Sequence, residues 1–139
     1  MLTINDMETK QTVQHYFDAI IAGKFEEAQQ WKAPDEKHWI SGEGSWPFGG
    51  WQTADRMARI HETIRSRFPK GLQITINSIL TEGEHAAVHL RNYTERIDGR
   101  IYDNQIVFLM RVKNGLIVEE KEFLDTILVN ELVCGKLDE

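Results

Sequence analysis

The chain has 139 residues, 41% of them hydrophobic, and its 16 basic and 22 acidic side chains leave a formal charge of −6. That length suits one domain, residues 1–139, able to bury about two-thirds of the surface its unfolded form exposes. The acidic balance argues against a nucleic-acid partner, and no apolar run approaches the roughly 20 residues that cross a bilayer, so no membrane partner is expected either. Cys134 is the only cysteine, which rules out an internal disulfide. With no apolar signal segment at the start, the expected location is cytoplasmic.

Val13, Tyr16, Phe17, Ile20 and Ile21 recur at helical spacing and predict a helix over 8–22, closed by Gly23. A shorter helix is expected over 25–31, ending before Pro34. Residues 38–51 hold four glycines, Pro47 and three tryptophans, and read as a short strand followed by an irregular loop. Thr53 is a candidate cap for a third helix, with Met57, Ile60 and Ile64 on its apolar side, which Phe68-Pro69 stops. Its arginines, Arg56, Arg59, Arg65 and Arg67, alternate with Asp55 and Glu62 and read as a solvated face.

After Gly71 the pattern turns β-branched and alternating, broken at Glu82-Gly83, Asp98-Gly99 and Asn114-Gly115. Four antiparallel strands are expected over 72–81, 84–97, 100–113 and 116–125, then a short terminal helix from Thr126. If each turn has two residues, Asn104 faces Asp125 and Tyr93, Ile106 faces Phe123 and Arg91, and Phe108 faces Lys121 and His89. Glu119 on that face is awkward, so either a bulge changes the parity or the sheet end is open to water. Buried unpaired, such polar groups would cost several kcal/mol each, which points to a pocket for a small apolar molecule. A structural Arg91–Asp125 ion pair is the alternative. The opposite face, with Val88, Leu90, Val107, Leu109 and Leu124 among polar residues, is the expected homodimer surface.

This order of elements resembles the nuclear transport factor 2-like, or cystatin-like, cone over nearly the whole chain. The segment from Val13 to Gly23 resembles the first helix of ketosteroid isomerases. Tyr102-x-Asn104-x-Ile106-x-Phe108, Asn114-Gly115-x-Ile117 and Glu122-Phe-Leu-Asp125-Thr126 resemble the SnoaL-like polyketide cyclases. The resemblance implies an α+β fold, a curved, mainly antiparallel mixed sheet of four to five strands wrapped around N-terminal helices with an internal pocket. It also implies that Tyr16 corresponds to an oxyanion-binding tyrosine and Asp125 to a general base. The isomerase base has no counterpart between Ile40 and Gly42. Asp125 also resembles the general base of limonene epoxide hydrolase, whose arginine is matched by Arg91 but whose second aspartate is replaced by His89.

The expected chemistry is proton transfer beside a carbonyl on an apolar cyclic substrate, giving isomerisation, cyclisation, or water addition or loss. Asp125 is the expected base, with Tyr16, Arg91 and His89 as polarising groups. Asn104, Tyr93, Phe108, Phe123 and Ile106 are the expected lining, and Trp39, Trp46 and Trp51 form either a lid or a core cap. No cofactor and no metal are expected, because His85 and His89 lie about 13 Å apart on a strand. A ligand-binding or accessory module, or a purely structural dimerisation domain, remains the competing class.

Overall fold

The computed structural model describes residues 3–137. Helix α1 spans Ile4–Ile21 and starts four residues before the expected boundary. Its extra turn comes from a capping box: Thr3 Oγ1 accepts from the Asp6 amide at 3.0 Å, and Asp6 Oδ2 accepts from the Thr3 amide at 2.8 Å. Asp6 also accepts from the Gly83 amide and Thr9 Oγ1 donates to the Gly83 carbonyl at 2.7 Å, tying α1 to a distant hairpin turn. These bonds, from the Thr3 and Gly83 amides first, hold the Asp6 carboxyl below its usual range.

Helix α2 (Phe25–Gln29) leads into β1 (Lys32–Ile40), a longer strand than expected, and β2 is only Gly50–Trp51. Thr53 caps α3 (Ala54–Arg67) as anticipated, its Oγ1 accepting from the Arg56 amide at 3.1 Å. Strands β3 (Ile74–Glu82), β4 (His85–Glu95), β5 (Ile101–Lys113) and β6 (Leu116–Phe123) follow. The chain closes with α4 (Thr126–Val129) and a π-helical turn, Asn130–Cys134. The six strands form one mixed sheet in the order β2-β1-β6-β5-β4-β3, with β1 parallel to β6 and the other pairs antiparallel.

Turn chemistry explains where the expected register holds and where it slips. At Asn114-Gly115 both residues have positive φ, 53° and 75°, which is the type I′ geometry. Lys113 and Leu116 pair directly across it, as expected. Beyond Val112 and Ile117 a bulge at Val118 shifts the pairing by one, so Phe123 meets Val107 instead of Ile106. At Asp98-Gly99 only Gly99 has positive φ, the Arg96 amide donates to the Arg100 carbonyl, and Glu95 pairs with Ile101. The loop therefore has three residues, Ile97 to Gly99, and an odd count exchanges the two faces of β4. Val88 and Leu90 lie in the core, 0% and 1% exposed, a correction to the expected outer face.

Two apolar clusters fill the inner face. One joins Val13, Tyr16 and Phe17 of α1 to Val88, Leu90, Ile106, Phe108 and Ile117. The other joins Ile40, Trp46, Ile60 and Phe68 to Tyr102, Val129, Leu132 and Val133. Arg96, 1% exposed, donates to the Leu132 and Lys136 carbonyls at 3.2 Å and to Asp98 at 2.9 Å, which fastens the terminal turn to the β4–β5 loop.

Candidate functional site

The two register shifts redistribute the expected site residues. His89, Arg91 and Tyr93 stand on the outer face: His89 Nε2 is 2.8 Å from Gln105 Oε1, and Arg91 forms a two-point ion pair with Asp103, both bonds 2.8 Å. Tyr93, 45% exposed, lies under the Arg91 guanidinium. Asp125 is exposed, and its Oδ1 accepts from the Ile127 and Leu128 amides at 3.0 and 3.1 Å. It caps α4 instead of sitting in a desolvated pocket. Asn104 does meet residue 125, but through the backbone: its Oδ1 accepts from the Asp125 amide at 3.1 Å and its Nδ2 donates to the Asp125 carbonyl at 3.2 Å.

Tyr16, Asn104, Ile106 and Phe108 remain on the inner face and are buried. Phe123 is on the outer face, its ring 5.2 Å from that of Trp39. The tryptophans divide: Trp46 is 8% exposed in the core and donates to the Ser41 carbonyl, Trp39 donates to Glu43, and Trp51 is 50% exposed. They form no common lid.

What the inner face gathers is a charged cluster from β1 and β6. Lys32, Glu36 and His38 share one parity along β1, whose register against β6 shifts between Lys32 and Lys37, and they meet Glu120 and Glu122 on the same side. Lys32 Nζ lies 3.0 Å from Glu120 Oε2 and 3.6 Å from Glu36 Oε2. His38 Nε2 is 3.0 Å from Glu122 Oε1, and its Nδ1 is 3.8 Å from Glu120 Oε2. The Lys32 ammonium also rests 5.0 Å from the centre of the Tyr16 ring. Glu120 is fully buried, whereas the Lys32, Glu36, His38 and Glu122 side chains keep 15%, 8%, 11% and 16% exposure.

The environment drives the two facing carboxyls in opposite directions. Burial, then the contact with Glu120, pushes Glu36 up to about 9. Burial would raise Glu120 too, but the Lys32 ammonium, a hydrogen bond from Glu36 and His38 hold it down to about 2. Glu36 thus carries the proton and Glu120 the charge. Burial lowers His38, yet its bond to Glu122 and the Glu120 charge more than offset this and raise it. Burial pushes the Tyr16 phenol far up, and the Glu120 charge adds to the effect. His61 on α3 is lowered by burial and by Arg65.

Sequence reading missed Lys32, Glu36, His38, Glu120 and Glu122. The available signal was the alternation Ile117, Glu120, Glu122, which only the β6 bulge brings onto one face, and the awkward placement of Glu119 that the bulge removes. An open depression of about 460 Å³ lies against the sheet and includes Leu80, Leu109, Arg111, Glu119 and Lys121. A second of about 170 Å³ sits beside His15 and Trp31. Neither is lined by Glu36 or Glu120.

An α+β cone with N-terminal helices against a curved mixed sheet defines the nuclear transport factor 2-like class. Within that class the chain belongs to the SnoaL-like domain family, whose model matches residues 13–120. No curated protein matches the sequence. Three solved structures share the fold. A nuclear transport factor 2-like protein of unknown function from Burkholderia pseudomallei is 19% identical with a TM-score of 0.76, covering 91% of this chain and 97% of that one. AclR, a putative hydroxylase from Streptomyces galilaeus, is 15% identical with a TM-score of 0.74, covering 96% and 89%. A putative SnoaL-like polyketide cyclase from Jannaschia sp. is 16% identical with a TM-score of 0.74, covering 98% of each chain.

Proposed function

We propose that this chain is a SnoaL-like enzyme that transfers a proton on a small apolar cyclic carbonyl compound, with Glu36 as the proton-transferring group. The observation that carries this reading is the Glu36–Glu120 pair, two carboxyls with oxygens within 4.8 Å whose environments drive their proton affinities apart. Glu120, held ionised by Lys32, is the fixed charge that keeps the proton on Glu36 at neutral pH. His38, with Nε2 bonded to Glu122, takes the proton beside the carbonyl while Glu36 gives its own to the carbonyl oxygen, return of the two protons restores both groups, and Lys32 offsets the charge developing on that oxygen. The exposed edges of Lys32, Glu36, His38 and Glu122 mark the approach from solvent. The reaction class is isomerisation, cyclisation, or addition or loss of water, and the structural neighbour called a putative SnoaL-like polyketide cyclase supports cyclisation within that range.

The test is proton exchange. A panel of cyclic 1,3-diketones and anthrone-type polycyclic ketones is incubated with protein in D₂O, and deuterium uptake beside the carbonyl is followed by NMR. Exchange above the buffer rate is expected, and Glu36→Gln should abolish it while Asp125→Asn leaves it unchanged. If Glu36→Gln exchanges as fast as the natural protein, Glu36 does not transfer the proton.

A second role accompanies this one. On the outer face Leu80, Leu109, Val107 and Phe123 are 69%, 46%, 37% and 39% exposed, an apolar stripe suited to a second copy of the chain. The same stripe favours the accessory-module alternative should no turnover be found. Leu109→Lys is expected to convert a dimer to a monomer in sedimentation velocity; a natural protein that sediments as a monomer at 50 μM or more (roughly the upper range of weak interfaces) removes the dimer from the reading. A cytoplasmic location belongs to the same proposal, supported by the unpaired thiol of Cys134. Among the described residues no helix is long and apolar enough to cross a membrane.

A further inference from the structure

The buried cluster has more acceptors than donors. Glu36 Oε2, His38 Nδ1 and both oxygens of Glu120 are sealed from solvent, and apart from the Glu36–Glu120 contact and the Lys32 charge they have no directed hydrogen-bond partner. Lys32 offers its charge to Glu120 and, more distantly, to Glu36. His38 uses Nε2 on Glu122, which leaves Nδ1 directed at a second acceptor, Glu120 Oε2, 3.8 Å away. Buried acceptors facing one another must be bridged by something positive, since each one left bare costs on the order of 1–3 kcal/mol. Two protons meet that need, one on Glu36 and one on His38 Nδ1. One divalent cation meets it equally well.

We infer that Glu36, His38 and Glu120 form a binding site for a divalent cation of the Zn²⁺, Co²⁺ or Mn²⁺ class. The donor atoms of these three residues lie within 4.8 Å of one another, so a side-chain movement of about 1 Å closes them to the separation set by ligand bonds of about 2 Å around one ion. One imidazole and two carboxylates suit borderline first-row cations better than Ca²⁺ or Mg²⁺, which favour all-oxygen sets. The Glu122 carboxylate behind His38 Nε2 is the outer partner that orients a ligating histidine. With His38 neutral, the charges of Glu36, Glu120, Glu122 and Lys32 sum to −2, which such an ion cancels. Lys32 is the resident competitor, and its 15% exposure gives the ammonium a route outward. Tyr16 and His61 are the other titratable groups facing the cluster. Because the ion takes the place of the proton on Glu36, it would hold the proposed enzyme inactive. The inhibition rests on the proton-transfer reading, but the binding does not.

The experiment uses the full chain stripped with chelator and needs no substrate. Calorimetric titration with Zn²⁺ is expected to show one ion bound per chain. Co²⁺ should give a visible ligand-field spectrum. Lys32→Met is expected to tighten binding at least about tenfold by removing a like charge, and Glu36→Gln to weaken it by a similar factor or more. In the natural protein, long-range ¹H–¹⁵N spectra should show Zn²⁺ moving His38 Nδ1 to the metal-bound position while Nε2 stays protonated, a readout that does not depend on any variant folding. The inference is overturned if neither the natural chain nor Lys32→Met binds Zn²⁺ at millimolar concentration. It is equally overturned if Glu36→Gln binds as tightly as the natural chain, or if His85 or His89 responds in place of His38. Proton exchange that fails on every ketone would remove the enzyme and leave the ion site standing.

Discussion

Replacing Glu36 by glutamine isolates the proton that the cluster stores. In the folded chain Glu36 holds its proton up to about pH 9, while an unfolded chain releases it near 4.5. A group raised in this way stabilises the fold fully below pH 4.5 and loses that contribution as pH rises toward 9. One proton of difference changes stability by a little over 1 kcal/mol per pH unit, which sets a ceiling of about 4 kcal/mol between pH 5 and 8. Relaxation of the pair and water at the exposed edge of Glu36 bring the expected loss to about 2 kcal/mol. His38, also raised, acts in the same direction above its usual 6.5. Glu120, lowered to about 2, acts oppositely and only as pH falls through the acid range. Glutamine keeps the shape and the donated hydrogen bond but cannot titrate. Urea denaturation of chelator-treated protein, followed by tryptophan fluorescence at pH 5, 6.5 and 8, is expected to show the natural chain weakening across the series. Glu36→Gln should match it at pH 5 and exceed it by about 2 kcal/mol at pH 8. A natural chain equally stable at pH 5 and 8, or a glutamine variant with the natural slope, would refute the shared-proton account.

Arg96→Met removes a buried guanidinium that holds Asp98 and the terminal carbonyls, and thermal or urea denaturation should show a loss of about 3–5 kcal/mol. Asp125→Ala deletes the cap of α4 and should cost about 1 kcal/mol in the same assay, whereas Asp125→Asn, which still accepts, should cost far less. A Cβ at Gly49 would sit 2.1 Å from the Gly42 carbonyl oxygen, so Gly49→Ala must displace backbone. It should expose Trp46, visible as a red-shifted emission. A Gly49→Ala protein with natural stability and emission would show that the loop gives way freely.

Local chemistry accounts for what could be read without coordinates. Thr53 and Phe68-Pro69 bound α3 as residue preferences dictate, and Asn114-Gly115 makes the turn its φ angles require, because these features depend on neighbours a few positions apart. The same locality places Val13, Tyr16 and Phe17 on the buried face of α1. The α+β cone and the inner positions of Asn104, Ile106 and Phe108 follow from patterns of that kind.

The site was decided elsewhere. Strand faces alternate with every residue, so one extra residue in the Asp98-Gly99 loop sent His89, Arg91 and Tyr93 outward, and one at Val118 brought Glu120 and Glu122 inward. Whether a loop has two residues or three depends on what packs around it, here Arg96 clamped to the terminal turn, and local sequence does not encode that. The parallel pairing of β1 with β6 joins Lys32, Glu36 and His38 to Glu120 and Glu122 across more than 80 positions. The sequence by itself settled the family, the order of most elements and the inner positions of Tyr16, Ile106 and Phe108. Only the tertiary structure settled which carboxylates face each other, because that is fixed by long-range register and not by the identity of nearby residues.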